Sequence, residues 1–212
     1  MKVLELFAGT KSVGRAFERH GHDVFSVEWD KRFDGISLYK DISTLTSQEI
    51  LDSFGRPDVI WASPDCSTYS VAAISTHRKK EQSGNLAPLT EYAEFCDMTN
   101  AHVLDLIREL KPKFWFIENP RGGLRSMLFM RGLPRYTVTY CQYGEKRMKP
   151  TDIWTNHPDP KFKPPCKNGD PCHTRAPRGS RTGTQGIKGS MDRARIPEQL
   201  CEHIVKICEE EE

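Results

Sequence analysis

Four short apolar runs punctuate this chain, and each stops at a residue suited to something other than packing. Residues 3–7 lead to Gly9, residues 24–27 to Glu28, residues 59–62 to Pro64 and residues 114–117 to Glu118. Segments of helical spacing separate them: Val13, Ala16 and Phe17; then Ile50, Leu51 and Phe54 within residues 46–54; then residues 90–110, with Ala93, Ala101, Leu104, Ile107 and Leu110 on one side and Pro112 ending the pattern. Residues 136–140 and 152–154 are weaker strands, and a last helix runs from Ile196 and Pro197 through Leu200, Ile204 and Ile207, with Pro at its start and Glu198 in its first turn. Strands alternating with helices imply an α/β fold built on a doubly wound, mostly parallel sheet, whose ligands sit at the carboxyl ends of the strands. At 212 residues the chain holds one domain with a substantial core and is too short for two. It divides into a core of residues 1–155, a small basic insertion of residues 156–191, and a C-terminal helix, residues 192–212, returning to the core.

Two stretches break the alternation. Residues 75–85 are polar, basic and free of large apolar side chains, which predicts a mobile loop. Residues 156–191 are rich in Pro, Gly and Cys and predict an irregular insertion. The net charge of +2 conceals a local excess: from Cys141 to Arg195 there are twelve Lys or Arg against five acids. A basic, Gly- and Pro-rich segment with few apolar residues is a candidate for phosphate contact. Seven cysteines, an odd number at uneven spacing, fit reduced thiols better than a disulfide framework. No apolar run approaches the ~20 residues that span a bilayer, and the start lacks a secretory signal, so a soluble intracellular monomer with no membrane partner is expected. His157, Cys166, Cys172 and His173 in the insertion are compatible with a zinc knuckle; ordinary loop residues are the plainer reading, since no CxxC pair is present.

The strand ends carry the chemistry. Phe7-Ala8-Gly9-Thr10 lets the backbone turn tightly beneath a ligand, before a helix whose amino end can receive a carboxylate. Glu28 stands where doubly wound folds place an acid to grip ribose hydroxyls, and Trp29 offers a face for adenine. Asp41 and Ile42 repeat the pattern one strand on, a carboxylate near the adenine amine and an aliphatic chain against the ring. Each alone is as readily a turn glycine or a solvated acid; three in register predict a nucleotide-cofactor pocket. Cys66 follows Pro64 in the polar run Asp65-Cys66-Ser67-Thr68, which favours an exposed thiol nucleophile over a core cysteine. Glu118 ends another apolar strand and is the candidate acid, with Asn119 and Pro120 to hold it.

In this order the runs resemble the motifs of the cytosine carbon-5 DNA methyltransferases, and the resemblance covers most of the chain. Residues 7–14 are similar to the family's first motif, Glu28-Trp29 to its second, Asp41-Ile42 to its third, residues 64–70 to its Pro-Cys motif, and Glu118-Asn119-Pro120 to its Glu-Asn-Val motif. Tyr143-Gly144 followed by Arg147 resembles the Gln-x-Arg-x-Arg region, and the helix from Ile196 the one that completes the cofactor site. The resemblance implies a Rossmann-like, S-adenosylmethionine-dependent methyltransferase. Its cofactor residues would be Phe7, Ala8, Gly9, Thr10, Lys11, Ser12, Glu28, Trp29, Asp41, Ile42 and Pro64. Cys66 would be the nucleophile, Glu118 the group that protonates or hydrogen-bonds a flipped cytosine, and either Arg147 or Lys149 a base contact. DNA would be the partner, held by Arg78, Lys79 and Lys80 in a loop that closes after Cys66, with Arg175, Arg178 and Arg181 added from the insertion by composition.

This chain departs from the family pattern in four places. Lys11-Ser12 replaces the usual second glycine, so the methionine carboxylate would be held differently, with Lys11 as a candidate helper. Asp65 stands where many members have Pro, and its charge should raise the Cys66 pKa. Aligned from Tyr143-Gly144, Arg147 falls on the family's Gln, Lys149 on its first Arg and Thr151 on its second. The insertion is far smaller than the usual recognition segment. Two other functions remain open: the same chemistry on RNA, and a catalytically silent DNA-binding protein.

Overall fold

A computed structural model describes residues 1–175, 192 and 194–211. Its elements are β1 (Lys2–Leu6), α1 (Ser12–Arg19), β2 (Asp23–Glu28), β3 (Leu38–Tyr39), α2 (Ser47–Ser53), β4 (Val59–Ala62), α3 (Ile74–His77), β5 (Arg78–Lys80), β6 (Leu86–Pro88), α4 (Glu91–Leu110), β7 (Phe114–Pro120), β8 (Arg135–Thr139), β9 (Pro150–Thr155) and α5 (Glu198–Glu210). Seven strands form one sheet in the order β3-β2-β1-β4-β7-β9-β8. The first five of these are parallel neighbours, and β9 runs antiparallel between β7 and β8. The expected doubly wound sheet is therefore present, mostly parallel, and strand order reverses between β1 and β4.

Alternation along the strands sorts the core into two layers. Leu4, Leu6, Ile60, Ala62 and Ile117 face Ile50 of α2 and Val103, Leu106, Ile107 and Leu110 of α4. Val3, Val59, Trp61, Phe116 and Ile153 face Val13, Ala16 and Phe17 of α1 and Leu200, Ile204, Val205 and Ile207 of α5. With both faces covered, the central strands can be apolar almost throughout. At the rim Arg19 reaches Glu202 of α5 at 2.5 Å, and His22 lies 2.9 Å from Glu209.

Local signals set the helix bounds. Thr46 and Glu49 form a reciprocal capping box on α2. Thr90 caps α4, Glu91 and Glu94 occupy its first turn, and a left-handed Lys111 before Pro112 ends it. The buried stripe of α4 differs from the predicted one. Polar Thr99 and Asn100 turn inward and Ala101 and Leu104 move to its margin, because the Asn100 amide finds Tyr69 Oη at 3.2 Å and Cys96 O at 2.8 Å.

Residues 75–85, predicted as a mobile loop, instead form α3 and the β5–β6 hairpin. The cause is Arg78, whose side chain is wholly buried. It donates to Thr68 O (2.9 Å), Thr68 Oγ1 (2.8 Å), Leu86 O (3.2 Å) and the Asp97 carboxylate (2.8 and 3.0 Å), and its guanidinium lies 4.0 Å from the Tyr69 ring. A guanidinium consumed in this way cannot meet a phosphate, so the expected DNA contact by Arg78 is withdrawn; Lys79 and Lys80 stay exposed. Beneath the same turn, a Cβ on Gly122 would stand 2.5 Å from the Tyr69 carbonyl oxygen, a backbone atom with little freedom to retreat.

Breaking a buried ion pair leaves the surviving charge uncompensated, at a cost of about 3 kcal/mol or more. Arg78→Ala should lower unfolding free energy by that order in urea titration, and Arg78→Lys should recover only a minor part of it. A loss within experimental error for Arg78→Ala would show that the hairpin is held by other contacts.

Candidate active site

Three strand ends converge where strand order reverses. After β1 the backbone takes left-handed conformations at Phe7 (φ 55°), Gly9 (φ 48°) and Lys11 (φ 54°), a tight loop that two non-glycine residues enter against their preference. The buried Glu5 steadies the amino end of α1 from below by accepting the Val13 N–H at 3.2 Å. Glu28, also buried, accepts the N–H groups of Gly9 (2.9 Å), Trp29 (3.0 Å) and Asp30 (3.0 Å), so one carboxylate fixes both the glycine loop and the turn after β2. Asp41 caps the following turn through Ser43, and Ile42 is buried beside it.

A cavity of about 300 Å³ opens between these turns and α4, a size at the small end of those that hold organic ligands. Of the residues predicted for a cofactor, Phe7, Trp29, Asp41, Ile42 and Pro64 line it. Ala8, Gly9, Thr10, Lys11, Ser12 and Glu28 stand outside its lining. Lys11 pairs with Glu18 at 2.7 Å, and Ser12 Oγ bonds Thr10 and the Ile196 N–H that leads into α5. Sequence reasoning missed the opposite wall: Tyr92, Phe95, Thr99 and Asn100 of α4. Tyr92 and Phe95 are exposed aromatics three positions apart, a signal visible in the helical pattern. Trp29 leaves 66% of its surface open at the rim, where a ring could stack.

The thiol and the acid come together beside this cavity. Ala62 of β4 pairs with Ile117 of β7, so Cys66 and Glu118 follow at the same sheet edge, and Asn119 Nδ2 donates to Pro64 O at 3.0 Å across the gap. Asn119 Oδ1 is buried and has no hydrogen-bond partner among the described residues. Asp65 beside Cys66 is held by the Ser67 N–H (2.6 Å) and the Tyr92 hydroxyl. Burial foremost, then the Glu118 and Asp65 carboxylates, push the half-buried Cys66 thiol up to about 11, while Lys149 acts in the opposite direction. The effect expected of Asp65 is thus present, and burial exceeds it.

Glu118 is buried and accepts the Tyr140 hydroxyl at 3.0 Å; Tyr140 was not foreseen from sequence. Burial raises Tyr140 well above the usual tyrosine range and keeps that donor proton in place. Lys149 lies 4.5 Å over the Tyr140 ring, with φ 25°. Burial lowers its pKa, against the attraction of Glu118 and Cys66. Arg147 is turned toward Glu145, bonding it at 2.8 Å through Nη2, with its guanidinium 5.9 Å from the Tyr140 ring. Lys149 therefore belongs electrostatically with Cys66 and Glu118, whereas Arg147 is paired with Glu145.

The insertion is redrawn as well. The His157 ring packs tilted against Phe114, centroids 4.8 Å apart, and its Nε2 lies 3.0 Å from Ile207 O, which commits it to the core. In its place Cys141 joins Cys166, Cys172 and His173, with all four ligand atoms within 4.8 Å of one another. Arg175 is exposed, and Arg178 and Arg181 lie outside the described residues. No helix among the described residues is long and apolar enough to cross a membrane.

The family model described as C-5 cytosine-specific DNA methylase matches residues 1–127. A frog virus 3 protein named "Probable DNA (cytosine-5)-methyltransferase" is 27% identical over 231 residues, an alignment covering 98% of this chain and 100% of that protein. Among solved structures, the Entamoeba histolytica methyltransferase EhMeth matches with a TM-score of 0.54 at 14% identity, over 73% of this chain and 52% of its own. The S. pombe Dnmt2 methyltransferase matches with a TM-score of 0.50 at 14% identity, over 73% and 48%. Identities this low establish a shared fold, and the chain spans about half the length of these solved structures.

Because only the thiolate is nucleophilic, alkylation of Cys66 by iodoacetamide should be slow at neutral pH and climb with an apparent pKa near 11. Asp65→Asn removes one repulsive charge and should shift that profile to lower pH. Peptide mass spectrometry of the Cys66 fragment across pH reads both; fast alkylation at pH 7 in the native protein would contradict the raised thiol pKa.

Proposed function

The chain belongs to the C-5 cytosine-specific DNA methylase family, and from that premise we propose that it methylates carbon-5 of cytosine in DNA through a covalent Cys66 adduct. The observation that carries the reading is the meeting of Cys66, Glu118 and Lys149 at one sheet edge beside the aromatic-rimmed cavity. The family implies S-adenosylmethionine, and the cavity is the place we assign to it. Phe7, Ile42 and Pro64 offer apolar surface to an adenine, Trp29 an open ring face, and Asp41 a carboxylate. When bound, that cofactor supplies an electrophilic methyl group on a sulfonium.

Cytosine carbon-5 is too weak a nucleophile to take that methyl unaided. The Cys66 thiol gives up its proton to water, Sγ bonds carbon-6, and the electron pair displaced from the C5–C6 double bond is accommodated towards nitrogen-3, where Glu118, oriented by Tyr140, meets it. Lys149 stabilises the thiolate as it forms, countering the carboxylates on either side. Carbon-5 then accepts the methyl and gives its proton to a water molecule; the C5–H electron pair re-forms the C5–C6 double bond as the S–C6 bond breaks and Cys66 leaves as thiolate. A base stacked in a duplex cannot present carbon-6 to Cys66, so the target leaves the helix. Lys79, Lys80 and Arg175 are exposed cations suited to the phosphate backbone.

Nucleoside mass spectrometry after incubation with S-adenosylmethionine and either DNA or RNA tests the substrate: 5-methylcytosine is expected in the DNA. Its appearance in RNA alone would redirect the reading, and in neither would mark the chain as catalytically silent. Cys66→Ser should abolish transfer while leaving cofactor binding near normal, and DNA containing 5-fluorocytosine should trap the native enzyme covalently. Full activity in Cys66→Ser would end the covalent route. Glu28→Ala should weaken S-adenosylmethionine binding by about 1–3 kcal/mol, through lost hydrogen bonds to a buried carboxylate and a loosened Gly9 turn. Calorimetry with unchanged affinity would remove Glu28 from the site.

A further inference from the structure

We propose that Cys141, Cys166, Cys172 and His173 bind one structural zinc ion that staples the insertion to the rim of the active site. The first ground is geometry. A tetrahedral zinc with three thiolates and one imidazole requires sulfur–sulfur edges of about 3.8 Å and sulfur–nitrogen edges of about 3.6 Å, from bond lengths of about 2.3 and 2.05 Å. The Cys141–Cys172 sulfurs stand 3.7 Å apart, and His173 Nδ1 lies 3.6 Å from both Cys166 and Cys172. The Cys141–Cys166 separation of 3.1 Å is shorter than the ideal edge and far beyond a disulfide bond, and all seven cysteines are free.

The second ground is what the segment lacks. From Lys163 to Arg175 the side chains are exposed, apart from Cys166, Asp170, Cys172 and His173, and Asp170 serves a local turn by accepting the Lys167 N–H. A stretch whose inward-facing groups are three metal donors and one turn residue has no apolar core to hold it. Burying neutral thiols contributes little, whereas ligation of thiolates contributes folding free energy directly. Gln142 Nε2 donates to Cys172 Sγ at 3.4 Å, and the Cys166 backbone N–H is fixed by Thr139 Oγ1 at 3.0 Å. Three thiolates with one imidazole in a closed tetrahedron select zinc over metals that prefer oxygen ligands or open coordination.

The ion would link two parts of the chain far apart in sequence. Cys141 sits in the turn that follows β8, next to Tyr140, the residue that donates to Glu118. The Thr174 N–H bonds Lys146 O at 2.9 Å, and Lys163 Nζ reaches Gln142 O at the same distance. A metal there would fix the path by which the chain leaves the catalytic segment and continues into its basic stretch.

The proposal does not depend on methyl transfer, and its test does not either. Protein purified under reducing conditions from zinc-supplemented cells should contain one zinc per chain by elemental mass spectrometry. Cobalt(II) exchanged into the chelator-stripped protein should show thiolate-to-metal charge transfer and the intense visible bands of a tetrahedral site. Cys166→Ser and His173→Ala should lose most of the zinc with far-UV circular dichroism unchanged, while Cys208→Ala, which removes a thiol outside the cluster, should retain it. The cobalt spectrum of the native chain decides the question even if the variants fold poorly. Absence of zinc after dialysis against excess ion, an octahedral cobalt spectrum, stoichiometric iron instead of zinc, or a Cys141–Cys166 disulfide in the reduced preparation would each overturn the assignment.

Discussion

Everything chemical in this molecule hangs on the register between β4 and β7. Parallel pairing of Val59 with Phe114 through Ala62 with Ile117 brings the Pro64–Cys66 turn and the Glu118–Asn119 pair to one edge. A slip of one residue would send Glu118 to the opposite face, because side chains alternate along a strand. The Asn119–Pro64 hydrogen bond locks the register from above, and β9, antiparallel to β7 with Ile153 opposite Glu118, seals the acid from the other side. The two apolar layers that cover opposite faces of these strands hold them in place with no ligand bound.

The site is electrostatically expensive. A buried carboxylate, a half-buried thiol with its pKa raised, a lysine with its pKa lowered and a tyrosine held protonated lie within electrostatic reach of one another. Burial first, and repulsion from Glu118 and Asp65 after it, favour the neutral thiol over the thiolate. The arrangement is held in place from outside: Arg78 clamps the turn after Cys66 onto α4, and Gly122 lets the segment after β7 approach that turn closely.

Much of the fold was legible because the signals were local. Apolar runs ending at Gly9, Glu28, Pro64 and Glu118 marked four sheet strands, and Thr90 and Pro112 bracketed α4 closely. What was illegible depended on partners distant in sequence. Nothing near Arg78 announces that Asp97 and Tyr69 will consume its guanidinium, so a basic segment read as a loop became a buried anchor. His157 looked like a ligand beside Cys166, yet its ring packs against Phe114, while Cys141, a strand and a turn earlier, took the vacant corner. Tyr140 likewise acquires its role only once β9 carries its neighbours against β7.

Of the four tryptophans, Trp61 and Trp154 lie fully in the core and Trp115 is half-buried, whereas Trp29 stands open at the cavity rim. Nature has thereby set an optical probe at the mouth of the pocket. Emission from the water-facing indole is spectrally separable from that of the core indoles, so an adenine ring sliding over it would report its arrival by quenching the red edge of the fluorescence alone. The exposure that makes Trp29 look misplaced in a folded chain gives the pocket a built-in gauge of its own occupancy.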